Sequence, residues 1–89
     1  MEKYLFAAFR SRDQAIKFYE TLRSMRVASS VINTPREAEA GCGLSVKFSE
    51  RQKNTVQIAL ARTNFSSFIG VYEVTVNAGR KYVTALTLR

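Results

Sequence analysis

LSVKFSERQ, residues 44–52, decides the fold of this chain. Leu44, Val46 and Phe48 alternate with Ser45 and Lys47, the two-residue period of a strand with one face covered. Directly behind it, Ser49-Glu50-Arg51-Gln52 has the form of a capping box. There a serine and a glutamine three residues on satisfy the orphan amides of a helix start. A strand running straight into a capped helix is one half of a strand–helix–strand unit. The same order occurs earlier in the chain. KYLFAAF, residues 3–9, is an apolar run with three aromatics and reads as a buried central strand. Ser11-Arg12-Asp13-Gln14 follows as a second capping box. Ala15, Phe18, Tyr19, Leu22 and Met25 then recur at helical spacing, predicting an amphipathic helix over 12–25.

The remaining segments complete the pattern. VASSVIN (27–33) reads as a second strand, ended by the loop that holds Pro35. The helix opened by Ser49 runs to about Asn64, with Val56, Ala59, Leu60 and Thr63 on its inner stripe. SFIGVYEVTV gives a fourth strand from about Phe68 to Val76, and RKYVTALTL returns as a fifth. Asn77-Ala78-Gly79 between them suits a three-residue hairpin loop with glycine in the left-handed position. The order β-α-β-β-α-β plus one β predicts an α+β fold, a ferredoxin-like split βαβ sandwich over residues 1–89. Residues 77–89 are a C-terminal hairpin strand added to it. Right-handed crossovers place the strands in the order 2-3-1-4, with the fifth beside the fourth.

Composition bounds the function. The chain has 89 residues, enough for one small core. It has no histidine and a single cysteine, which rules out an internal disulfide and nearly excludes a zinc site. No metal and no cofactor is expected. No apolar run approaches the length that spans a bilayer. The opening MEKYLFAAFRSRDQ is too short and too quickly charged for a secretory signal, so a cytoplasmic setting is expected. Fourteen Lys and Arg against seven Asp and Glu give a net charge of +7. The basic residues are scattered, which a solvated surface explains as well as a nucleic-acid footprint does.

The candidate site is TPREAEAGCGL, residues 34–44, with the only proline and the only cysteine of the chain. A thiolate is favoured by nearby cations and amide donors. Gly41 and Gly43 leave the backbone amides beside Cys42 unobstructed, and Arg36 can fold back as a counter-charge. Thr34 and Pro35 fix where the loop leaves strand 2. The strand order brings this loop to the sheet end that holds Arg10, Ser11, Arg12 and the connection near Asn64. The residues alone leave two readings of Cys42 open: a small buried hydrophobe beside turn glycines, or an exposed, activated sulfur.

The block Thr34-Pro35-Arg36, a gap of five residues, then Cys42-Gly43-Leu44 and an alternating strand resembles a family of small bacterial domains described as selenium/sulfur carrier-like. YLFAAF with its capped helix and FIGVYEV fit the same pattern, and the likeness covers about residues 3–74. It implies that Cys42 carries sulfur or selenium as a persulfide, with Thr34, Pro35, Arg36, Gly41, Gly43, Arg10 and Arg12 around it. It also implies donor and acceptor proteins for that atom as partners. Two departures stand out: Gly41 replaces a serine common in that family, and the C-terminal hairpin is extra. With no histidine to act as base, exchange chemistry fits better than hydrolysis. The competing reading is a non-catalytic binding module whose basic end holds an anionic ligand or nucleic acid. Phe6, Phe9 and Arg10 would serve it, but LSVKF has one aromatic only where RNA-binding sheets carry more. A homodimer through the sheet or the C-terminal strand is a further expectation.

Overall fold

A computed structural model describes residues 2–38 and 43–86. The elements are β1 (Glu2–Phe9), α1 (Arg12–Ser24), β2 (Ser29–Asn33), the single 3-10 turn Arg36–Ala38, β3 (Leu44–Phe48), a second 3-10 turn Glu50–Gln52 leading into α2 (Lys53–Arg62), β4 (Phe68–Asn77) and β5 (Arg80–Leu86). They build a mixed α/β fold, two helices on one five-stranded antiparallel sheet. The strand order is β2-β3-β1-β4-β5, the order expected from the sequence. β1 is central, with Ala7 opposite Val46 of β3 on one side and Val71 of β4 on the other. Leu5 to Phe9 are all fully buried, which is why this strand is a continuous apolar run rather than an alternating one.

The helices cover one face of the sheet. Leu5, Ala7 and Phe9 of β1 and Leu44, Val46 and Phe48 of β3 point into it. They meet Ala15, Phe18 and Leu22 of α1 and Val56 and Ala59 of α2. Phe9 is the hub, with ring centroids 5.4, 5.7 and 5.6 Å from Phe18, Phe65 and Phe68. α1 begins at Ser11, whose hydroxyl accepts the Gln14 N–H at 3.2 Å. It ends one residue earlier than its apolar spacing suggests. Arg26 takes a left-handed φ of 63°, the Val27 N–H donates to Leu22 O at 2.9 Å, and the Arg26 N–H donates to Arg23 O at 3.0 Å. This is a Schellman stop closed by the buried pair Leu22 and Val27. Met25 thereby becomes the C-cap, 38% exposed, and not a core residue.

The opposite face is covered too, which corrects the expectation for β3. Phe6, Ala8 and Val74 are fully buried there, and Tyr4, Ile32, Ala38, Tyr72 and Val83 pack around them. Phe6 stacks on Tyr72 with centroids 5.1 Å apart and planes at 16°. The cover comes from the connection between β2 and β3: its 3-10 turn, Arg36–Ala38, packs against β5. Ser45, which alternation assigns to solvent, is therefore fully buried. Lys47 lays its ammonium 4.2 Å from the centroid of the Tyr4 ring.

The C-terminal hairpin also differs from its expected form. Asn77 pairs with Arg80, so the loop is the two residues Ala78 (φ 53°) and Gly79 (φ 77°). Positive φ at both positions is the I′ geometry that matches strand twist. Alanine is an unusual occupant of the first position.

Candidate functional site

The roots of the loop are fixed by β2 and β3. Ladder pairing joins Asn33 to Leu44, and one step further the Thr34 N–H donates to Gly43 O at 3.2 Å. The Thr34 and Ser45 hydroxyls lie 2.7 Å apart, so each satisfies the other beneath the loop. The Ala38 N–H donates to Pro35 O at 3.1 Å and closes the 3-10 turn. Thr34 and Pro35 are half-buried, and Arg36 is exposed. These contacts agree with the expectation that Thr34 and Pro35 set the exit from β2. Cys42 and Gly41, both expected in the site, lie outside the described residues.

Gly43 is where the loop meets the end of β1. A Cβ built on it would stand 2.3 Å from Phe9 O and 3.6 Å from the Arg10 Cα. No side chain fits there, because the obstacle is backbone of the central strand. Gly43 therefore has a steric reason of its own, close approach of two strands. That same contact places the residue following Cys42 against Arg10, as the strand order predicts.

The rest of this end is tied together by a contact that the sequence reading misassigned. Gln14, read as the reciprocal half of a capping box, does not reach back to Ser11. Its Oε1 accepts from the Ser67 N–H at 2.8 Å and the Ser67 hydroxyl at 2.6 Å, and its Nε2 donates to the Ser66 hydroxyl at 3.1 Å. The Arg10 N–H donates to Ser67 O at 3.0 Å. Next to it the β1–β4 register shifts between Ala8 and Phe9, and an irregularity of this kind re-aims the strand end. The start of α1, the end of β1 and the entry to β4 thus form one hydrogen-bonded block beside Gly43. The second box behaves in a related way. Ser49 accepts from the Arg51 N–H at 3.1 Å and starts a 3-10 turn, so α2 begins only at Lys53.

This end carries charge of both signs, for exposed Asp13 lies in the first turn of α1 and exposed Glu37 in the 3-10 turn. Arg10, Arg12 and Arg36 are all exposed. Among the described residues, no carboxylate pairs with any of the three, since both ion pairs belong to Lys3, with Glu50 at 3.0 Å and Glu73 at 3.6 Å. The structure joins Arg10 to Gly43 and sets Arg12 two residues on, at the start of α1. Arg36 is carried on the turn that packs against β5, and among the described residues no hydrogen bond links it to the other two arginines. Phe6 and Phe9, the aromatics of the nucleic-acid reading, are both fully buried. No helix among the described residues is long and apolar enough to cross a membrane.

No curated protein and no solved structure matches the chain. Residues 3–72 match the family described as "Putative Se/S carrier protein-like", a span that runs from β1 into β4 and contains the whole loop. The chain belongs to that family.

Proposed function

We propose that this protein is a carrier of sulfane sulfur or selenium, with Cys42 as the atom-bearing residue and no turnover chemistry of its own. The reading rests on one observation above others. The family match spans residues 3–72 and so includes the loop from Thr34 to Gly43 entire. The geometry around the loop supports it. Both loop roots are anchored, Gly43 sits against Arg10, and exposed Arg10, Arg12 and Arg36 make no ion pair among the described residues. Guanidinium groups at that end favour the anionic form of a nearby sulfur. The strand order supports the finer reading of the fold as a ferredoxin-like sandwich, and a cytoplasmic setting would keep the lone thiol reduced.

The loading step balances without an added oxidant. The Cys42 thiolate attacks the outer sulfur of a donor persulfide, the donor S–S bond breaks, and the donor leaves as a thiolate. Cys42 then carries S–SH, with the proton still on the transferred sulfur. Unloading is the same exchange on an acceptor thiolate. Arg10 and Arg12, with Arg36 from the far side of the loop, serve as counter-charges. Thr34, Pro35 and the glycines hold the loop in shape.

The test is mass spectrometry after incubation with a cysteine desulfurase and cysteine, paired with the pH profile of Cys42 alkylation. One added sulfur on the peptide containing Cys42, absent from Cys42→Ser, and rapid alkylation well below pH ~8 are expected. No added sulfur, with a thiol titrating near the ordinary value of about 8.5, overturns the proposal. The anion- or RNA-binding reading is less well supported, because the buried rings of Phe6 and Phe9 present no face for a base to stack on.

A further inference from the structure

β5 leaves an open edge whose pattern complements itself. In a two-residue hairpin the residues flanking the turn exchange both hydrogen bonds, so Arg80, Tyr82, Thr84 and Leu86 bond inward to β4. Lys81, Val83 and Ala85 then turn their N–H and C=O groups outward. Among the described residues, no backbone hydrogen bond reaches that outer edge. β5 is seven residues long and carries no proline, and its only charges, Arg80 and Lys81, sit at one end. Such an edge is a template for pairing.

On the helix side, the two helices do not extend over this edge. A groove of about 610 Å³ runs between α2 and β4–β5, lined by Ile58, Phe68, Val71 and Leu86 among others. Ile58 is 50% exposed, Phe68 37%, and Tyr82, on the same face of β5, 52%. Exposed apolar groups collected beside an unpaired edge mark an interaction surface.

We infer that a second copy of this chain occupies that edge, β5 pairing antiparallel with β5 about Val83 in a two-fold dimer with a ten-stranded sheet. Three features select a second copy. First, the outward residues are symmetric about Val83, so the register Lys81–Ala85, Val83–Val83, Ala85–Lys81 satisfies about six outward groups with no slip. Second, Tyr82 of each copy lies opposite Thr84 of the other and diagonal to its own mate and to Leu86. Both half-exposed rings are then covered by the partner strand. Third, Arg80 and Lys81 of the two copies fall at opposite ends of the pairing, about 20 Å apart for the arginines and about 14 Å for the lysines at strand rise. Each faces an uncharged residue, and separation beyond the screening length removes their repulsion at physiological salt. An acidic extended peptide is the competing occupant, since the chain carries +7.

The test is sedimentation equilibrium of the full chain from low micromolar to millimolar concentration, at low and physiological salt, beside a charge swap at the pairing. Ala85 is exposed, so Ala85→Lys leaves the monomer folded, as circular dichroism will verify, while setting two lysine pairs opposite each other. The expected result is a dimer that tightens with salt, weakens about tenfold or more in Ala85→Lys, and recovers in Ala85→Lys with Lys81→Glu. A monomer at every concentration overturns the inference. So does a dimer indifferent to Ala85→Lys, or a chain that stays monomeric and instead binds a polyglutamate peptide with an affinity that falls as salt rises.

Discussion

The two faces of the sheet are built by different means. On the helix face the cover is regular. α1 and α2 lay apolar stripes over Leu5, Ala7, Phe9, Val46 and Phe48, and three phenylalanine rings interlock around Phe9. On the other face the cover is a loop. Phe6 and Ala8 are as fully buried as Phe9, yet what lies near them is a three-residue turn, the rings of Tyr4 and Tyr72, and the last strand. The loop that carries Cys42 is thus also a lid on a second, smaller core. Thr34 and Gly43 fix both roots of this connection, and the turn Arg36–Ala38 between them packs against β5.

The comparison breaks most clearly with a matched pair of truncations. Phe9→Ala should cost about 4 kcal/mol, because three rings lose their common partner inside a helix-walled core. Phe6→Ala should cost about 3 kcal/mol, since a loop can collapse into the space more easily than helices can. Urea unfolding of both variants measures the difference, and equal costs would mean that the lid is as rigid as the helix layer. Next in size is Gly43→Ala, at about 2–3 kcal/mol, because its Cβ collides with Phe9 O and either β1 or β3 must shift. Gly70→Ala is the control: its Cβ meets only the Tyr72 side chain at 3.8 Å, so its cost should be a small fraction of that.

The same asymmetry explains what was legible in the sequence. Periodicity reports which side of a strand or helix is apolar, and that sufficed for both helices, all five strands and their order. It does not report what lies above a face. Ser45 and Lys47 read as solvent-facing because they are polar, and nothing in LSVKF announces that Ser45 will be buried against Thr34 or Lys47 laid over Tyr4. Gln14 sits at the spacing of a capping box, but spacing cannot tell whether an amide turns back to Ser11 or across to Ser66 and Ser67. Arg26 and Ala78 escape notice for the opposite reason. Both hold left-handed backbone where glycine is the usual signal, so the α1 stop and the two-residue hairpin lack their customary marker. At the site, topology brought the loop root to Arg10 correctly. The fixed contacts that make the site a unit run through side-chain choices which no pattern encodes.

Two smaller effects sharpen the contrast between lid and helix layer. Thr34→Val keeps the shape of the side chain and removes the hydroxyl that partners buried Ser45, so it should cost about 1–3 kcal/mol. Adding Ser45→Ala should recover part of that loss, and the non-additivity from a double-mutant cycle measures how firmly the lid root is held. Additive losses would show that the two hydroxyls act independently.

The smallest effect lies at the other end of β1, where Lys3 bridges Glu50 and Glu73 far from the loop. The hydrogen bond to Glu50, then the charges of Glu50 and Glu73, hold the Lys3 ammonium above its ordinary 10.5. A lysine whose pKa rises on folding binds its proton more tightly in the folded state. Its contribution is therefore complete below pH 10.5 and lost only as pH climbs through the raised value. Because Lys3 is exposed, that contribution is small and salt-sensitive. Lys3→Met should lower the melting temperature slightly and equally at pH 7 and pH 9, with the gap narrowing in concentrated salt and closing above pH 10.5. A gap that persists unchanged in strong alkali would assign the effect to packing of the lysine stem, and would leave the ion pairs with no share in holding β1 against β4.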